Sequence, residues 1–524
     1  MKKSFFPFLL TLGLLPLFLI AQDELVDTAM MGRIRAEGLN HSQVPWLAHN
    51  LTDVSGPRLT NSSGYRRAAQ WVLNTLKSWG IEQAKLEPWG EFGYGWDVQK
   101  ATLALKSPYY ESLIAYPRPW CGSTNGGVSA ELVLLDSYDS AYIVRNASLW
   151  KGKIVLLNSQ DSSIRGDFTA DASRYTDSQL VKLSDTYMFT RDDLKTYLPR
   201  LKQSIKRKKI LMQTGVLGIV SSDGDRTGRD GTVFVDGQDG HLSKDQPRLP
   251  EMVIANEAFY KIKRLIRSGH KITVEMNVKA TLLAGDKKGY NVIGELPGTD
   301  PTLKPELVML GGHLDSWQTS TGATDNAAGC IASLEAIRIL KTLGVQPRRT
   351  IRIALWGGEE QGLIGSYYYI KNHFGDPATM VLKPEQQKIS AYFNLDNGSG
   401  KIRGIFSQGN DAVIPIFKKW LEPFADLGAT TVTPHYTGST DHYSFDLVGI
   451  PGFQFIQDPL DYETRAHHSN MDNFDHLLLI DLEQASVIMA AFVYNTAMRT
   501  DMLPRKPLPK PAIFLFAEWL DEDF

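Results

Sequence analysis

Five separated places in this 524-residue chain carry side chains of the kind that hold divalent metal ions. They are His313-Leu314-Asp315, Asp325-Asn326, Glu359-Glu360, Asn394-Leu395-Asp396 and His467-His468. Imidazole and carboxylate without thiolate suit zinc in an open catalytic site better than in a closed structural one. The candidate ligand set is therefore His313, Asp325, Glu360, Asp396 and one of His467 or His468. Five ligands exceed what one tetrahedral zinc needs but suit two ions if one carboxylate bridges them, and Asp325 is the natural bridge. A two-metal centre can polarise a carbonyl and lower the pKa of a shared water to about 7. Each motif alone is weak: most His-x-Asp pairs are structural, and Asp325 also reads as the N-cap of the helix that follows it. Recurrence at successive strand ends is what carries weight. His41, His49, His241, His270, His373 and His476 lack such a setting and are assigned to structure or surface.

The elements that must position these residues follow from periodicity. Leu307 to Leu310 form an apolar run that ends in Gly311-Gly312, and Ile331, Leu334, Ile337 and Leu340 recur at helical spacing, which gives strand, loop and capped helix. Strand 351–356 runs straight into Gly357-Gly358-Glu359-Glu360. Adjacent side chains of an extended segment point to opposite sides, so one glutamate can bind metal while the other faces a water. Further strands at 389–395 and 452–456 alternate with helical segments at 326–343, 363–373, 411–427 and 480–498. That rhythm implies an α/β fold with a mainly parallel mixed sheet flanked by helices, and sites form at strand ends in such sheets. Upstream, 34–51 and 63–79 read as helices and 97–106 as a strand. Between 108 and 285 the texture changes to short strands (131–135, 153–157, 215–220, 271–278) with long polar segments at 158–190 and 222–250. The basic block 202–209 reads as a solvated helix face. No ligand-spaced cluster occurs there, which implies a separate inserted domain.

Bulk properties narrow the classes. With 56 basic and 58 acidic residues the net charge is −2, so no cationic field is available for nucleic acid or an anionic membrane. Two cysteines, Cys121 and Cys330, cannot build a disulfide framework, and Cys330 on an apolar helix face reads as a buried free thiol. Met1-Lys2-Lys3 followed by SFFPFLLTLGLLPLFLIA has the form of a signal peptide cleaved near Ala21 or Gln22. The alternative is a retained anchor, since the run approaches the roughly 20 residues that span a bilayer. No other stretch is long and apolar enough to cross, so the expectation is a secreted or periplasmic protein without an integral span after cleavage. The Pro-rich tail from 503 carries an LFAEWL segment that reads as docking on the body. Asn50, Asn61 and Asn146 lie in glycosylation sequons.

Taken in order, GGHLDS, TDNAAG, GGEEQGLIGS, NLD and HHSNMD resemble the motifs of the co-catalytic zinc exopeptidases of the aminopeptidase and glutamate carboxypeptidase type, above all the carboxypeptidase Q group. The resemblance covers most of the mature chain. GKIVLL at 152–157 and the segment 249–269 look like the β-rich protease-associated domain inserted in many of these enzymes. It implies a signal peptide at 1–21, peptidase parts at 22–107 and 286–502, the insert at 108–285 and a tail at 503–524. It further implies two Zn2+ per chain, with His313 and Asp396 on one ion, Glu360 and His468 on the other, and Asp325 bridging. Asp315 would orient His313, and Glu359 would act as general base. His468 is preferred to His467 because the family's ligand precedes an acid by four positions, and Asp472 fits. His442, in a loop like those that line the substrate pocket, would contact substrate. The implied activity is hydrolysis of short peptides or dipeptides, carboxypeptidase Q-like; an aminopeptidase on the same centre is the alternative. An inactive receptor-like binding protein is disfavoured because all five ligands and Glu359 are present, and a single-zinc glutaminyl cyclase because that group lacks the insert. The motifs leave open whether the chain forms a homodimer.

Overall fold

The strand–helix alternation of the C-terminal half builds an eight-stranded sheet. It is seen in a computed structural model that describes residues 24–159, 168–186, 191–222, 228–237, 241 and 248–511. From one edge to the other the strands are Glu82–Glu91, Lys288–Leu296, Thr350–Trp356, Leu307–His313, Ile389–Asn394, Gly452–Gln457, Ile402–Phe406 and Thr431–Thr433. The four from Thr350–Trp356 to Gly452–Gln457 are mutually parallel. Antiparallel pairing returns on both flanks, so the parallel character is that of the centre. The central strands are buried along nearly their whole length, as expected where helices cover both faces. Val308, Leu310, Ile351 and Ile353 enter one core with the helices Thr28–Asn40, Ser63–Ser78, Ala328–Thr342 and Leu479–Met498. Their neighbours Met309, Ala354 and Trp356 face the opposite core with Tyr369, Ile370 and Phe445.

Helix boundaries move where local chemistry intervenes. The expected helix 34–51 is two, Thr28–Asn40 and Val44–His49, the second opening with Pro45 in its first turn. The expected helix 411–427 is regular only over Ile414–Leu421; Pro423 disfavours continuation there. Helix Ala328–Thr342 starts two residues late, because Asp325 (φ −126°) and Asn326 (φ −132°) are not helical.

A second eight-stranded sheet runs in the order Glu111–Ser112, Gly95–Ser107, Ile272–Leu283, Val128–Leu135, Ile154–Leu157, Gly218–Ser221, Glu251–Ile254 and Ala115–Pro117. Gly95–Ser107 is thus a member of this sheet, paired along its length with Ile272–Leu283, although the sequence groups it with the peptidase part. The basic block lies on the helix Arg191–Gln213, and it is not purely a solvated face. Lys208 sits 3.0 Å from Glu251 and Arg118 2.9 Å from it, two cations meeting a carboxylate that is otherwise buried. Cys121 and Cys330 are both free and buried, and the Asn61 sequon is closed to modification, at 1% exposure. The leader 1–21 and the LFAEWL segment lie outside the described residues. Among the described residues no helix is long and apolar enough to cross a membrane.

Candidate metal centre

Parallel register brings the site together. His313 is level with Trp356 on one side, and Gly311 with Asn394 on the other. The carboxyl ends of three adjacent strands therefore deliver His313, Glu359-Glu360 and Asp396 to one place. The packing behind them is backbone on backbone. A Cβ on Gly329 would lie 2.0 Å from the Leu395 carbonyl oxygen, and one on Gly311 would lie 1.9 Å from that of Ala354. Helix Ala328–Thr342 can therefore approach the sheet only with glycine at its start.

His313 is 1% exposed. Its Nε2 lies 3.2 Å from Asp325 Oδ1 and 3.3 Å from Asp396 Oδ1, with Glu359 Oε2 at 3.8 Å. Across Asp325, Oδ2 is 3.3 Å from His468 Nε2 and 3.8 Å from His467 Nε2. His468 Nε2 also lies 3.0 Å from Glu360 Oε2. Two compact triads result, His313–Asp325–Asp396 and Asp325–His467–His468, and Asp325 belongs to both. Glu360 adjoins the second triad through His468. Asp325 Oδ2 and Asp396 Oδ1 are buried and make no hydrogen bond. A buried acceptor left unsatisfied is costly, and here such acceptors converge with imidazole nitrogens, a donor set that fits zinc.

The expected ligands are thus gathered, but two supporting roles differ from expectation. Asp325 is not a cap: the amide of Asn326 does that work, its Oδ1 accepting from Gly329 N–H at 2.8 Å, which leaves the Asp325 carboxylate to the site. Nor does the Asp315 carboxylate orient His313. Nδ1 is 3.0 Å from the Asp315 main-chain carbonyl and 3.7 Å from the carboxylate. That carboxylate instead accepts from Thr60 Oγ1 at 2.9 Å and from the N–H groups of Glu359 and Glu360 at 3.2 Å each. Asp315 therefore fixes the turn that aims both glutamates.

Three further groups support the centre, and only Asp472 was marked in the sequence, by its spacing from His468. Asp472 accepts from Thr324 N–H and Oγ1 at 2.6 and 2.7 Å and from Asp325 N–H at 3.0 Å, holding the bridging acid from behind. Arg58 is fully buried and donates to the carbonyls of Leu51, Leu314, Thr321 and Gly322, bracing the loop between His313 and Asp325. Trp317 lies edge-on to His468 at 6.0 Å between ring centres and meets Trp120 at 6.3 Å. Nothing in a linear pattern marks Arg58 or Trp317.

Electrostatically the centre is a crowd of acids in a dry place. Burial, with Asp396, Asp441 and Glu360 adding to it against the pull of His313, lifts the Glu359 carboxyl well above its usual range. Burial likewise works to lift Asp325, but His313, His468 and His467 overcome it and hold Asp325 low. Burial drives Asp441 up to about 8 and His442 down to about 4, so His442 is neutral at pH 7. Its ring is 1% exposed, and Nε2 is 2.8 Å from the Thr437 carbonyl. Nδ1 makes no hydrogen bond. The structure thus encloses His442, where the resemblance implies a substrate contact.

The N/O cluster at the carboxyl ends of central parallel strands, between helices on both faces, is a candidate metal centre. Residues 291–493 match peptidase family M28. Over 459 residues the chain is 27% identical to carboxypeptidase Q of Mus musculus, covering 87% of this chain and 86% of that one. The fold is that of a peptidase M28 precursor from Shewanella amazonensis SB2B, with a TM-score of 0.66 at 22% identity, over 92% of this chain and 99% of that one. A zinc aminopeptidase from Bacillus subtilis aligns with a TM-score of 0.55 at 19% identity, over 87% and 95% of the two chains. Residues 291–493 are thus similar to peptidase family M28, and the chain shares its fold with the M28 precursor and the aminopeptidase.

Proposed function

We propose that this enzyme is an exported di-zinc exopeptidase that removes residues from short peptides or dipeptides in the manner of carboxypeptidase Q. The observation that carries the reading is the membership of Asp325 in both triads, which is what a bridging carboxylate requires. His313 and Asp396 would hold one zinc and His468 and Glu360 the other, with His467 beside the second, half-buried and stacked on Tyr462. Bound zinc supplies Lewis acidity, polarising the scissile carbonyl and acidifying a water. Glu359 would take a proton from the attacking water and return it to the leaving amine, a role suited to a carboxyl raised by its surroundings. Asp315 aims Glu359 through its main-chain N–H. The leader at 1–21 supports export to a secreted or periplasmic location. The division at 22–107, 108–285, 286–502 and 503–524, with a protease-associated insert, is part of the same reading.

An aminopeptidase on this centre is supported by Glu463, whose side chain is 70% exposed and 3.5 Å from His467, since an acid at the lip suits a substrate ammonium. Assaying dipeptides blocked at the amino or the carboxyl end, before and after chelation, separates the two modes. Glu359→Gln is expected to keep its zinc while losing roughly 100- to 10,000-fold in kcat. Near-normal turnover in that variant would remove Glu359 from the role.

A further inference from the structure

His468 does not hold its own backbone. It sits at φ 58°, the left-handed region that non-glycine residues seldom occupy. Its carbonyl accepts from Val235 N–H at 2.9 Å, and Ser469 forms an isolated antiparallel bridge with Phe234. Both partners come from a segment that leads toward the strand Glu251–Ile254 of the second sheet. The fastening is completed by Asn470. Val233 N–H donates to Asn470 Oδ1 at 2.7 Å, Asn470 N–H to the Val233 carbonyl at 3.1 Å, and Asn470 Nδ2 to the Gly231 carbonyl at 3.1 Å. A planar side-chain amide offers an acceptor and a donor as a peptide group does, so Asn470 extends the pairing where the chain itself turns away. A second tie, Arg465 to Asp230 at 3.2 Å, joins the same two segments without touching the ligand residues.

We propose that Asn470 is a positioning residue of the metal centre: it pins the His467–His468 loop to residues 231–233, so that the second sheet's unit holds His468 against Glu360 and Asp325. The inference rests on the reading of His468 as a zinc ligand. It gives that unit a part in metal binding through the main-chain groups of residues 231–235, which seat the loop. Residues that orient a ligand typically change metal affinity by roughly 10- to 100-fold when removed, and Asn470 acts one bond further along the chain than an ordinary ring partner.

The test is zinc affinity of the full chain, titrated against a competing chelator, alongside the melting temperature of the metal-free protein. Asn470→Ala is expected to weaken one of two ions by roughly tenfold or more and to leave the metal-free melting temperature where it was, because the Arg465 tie remains. Asn470→Asp, which keeps the acceptor for Val233 N–H, is expected to fall between Asn470→Ala and the unaltered protein. His468→Ala should lose the same ion. Unchanged zinc binding in Asn470→Ala, with one ion lost in His468→Ala, overturns the positioning role alone. Two ions retained in His468→Ala overturns the ligand reading beneath it. Equal weakening of both ions with a lowered metal-free melting temperature would make Asn470 a general structural residue and overturn the proposal.

Discussion

Asp325 does at the residue scale what no other side chain here can. Its two oxygens face different histidines, His313 at 3.2 Å and His468 at 3.3 Å, and Oδ2 makes no hydrogen bond. Asn326 caps the helix in its place, and Asp472 takes up its main-chain N–H. Asp325→Ala is accordingly expected to lower the zinc content per chain, measured by elemental analysis after dialysis against trace zinc. Two ions still bound would rule out the bridge. Asp315 teaches a related point. An acid two residues from a histidine invites the reading of an orienting partner, yet the imidazole is served by a main-chain carbonyl and the carboxylate by two N–H groups of the next strand's turn. Buried N–H donors need acceptors, and a tight strand-to-helix turn supplies two of them.

At the scale of elements, the edge strand Glu82–Glu91 is tied to helix Ile364–His373 by Glu87, which contacts His373 Nε2 at 2.5 Å and Lys85 at 2.8 Å. Burial works against its ionisation, but His373 and Lys85 outweigh that and bring the carboxyl down to about 2. A carboxyl depressed in the folded state stabilises it above its unfolded pKa of about 4.5, and the contribution is lost as pH falls toward about 2. Glu87→Gln is thus expected to cost about 1 kcal/mol near pH 6, screening by solvent included. The melting-temperature gap from the unaltered protein should close on acidification below pH 4.5. A gap that persists unchanged at pH 2.5 would show that packing, not charge, sets it. The central strands and the helices beside them were legible because burial on both faces writes continuous apolar runs and 3.6-residue periods into the chain. The edge strand Glu82–Glu91 was not: its sequence, EQAKLEPWGE, is half-exposed and carries a proline and a glycine, so pairing with Lys288–Leu296 rather than composition makes it a strand. The candidate ligands were legible because metal chemistry restricts residue type. Arg58 and Asn470 were not, since both act on main-chain groups that any sequence would provide.

For the whole molecule, the question is how the second sheet's unit stays seated on the first. Asp458, fully buried at the end of strand Gly452–Gln457, accepts from Arg174 at 2.8 Å, Arg403 at 2.9 Å and Tyr175 N–H at 3.0 Å. Arg174 reaches Asp481 as well, at 2.7 Å. Asp458→Ala would take from the buried Arg403 its acid at 2.9 Å and leave it the exposed Asp177 at 3.5 Å, and losing one member of a buried pair costs about 3 kcal/mol. A lowered melting temperature and faster amide hydrogen exchange over 173–186 are expected. Exchange there matching the unaltered protein would mean that other contacts hold the segment. The glycine contacts behind the centre have a consequence of a different kind. Because Gly311 and Gly329 let main chain rest on main chain, the spacing among His313, Asp325 and Asp396 is set by incompressible peptide groups rather than by yielding side chains. Such a cage would have little freedom to expand from the 2.0–2.2 Å bonds of zinc to the 2.3–2.6 Å bonds of calcium, so a larger ion is expected to bind less well whatever its ligand atoms prefer.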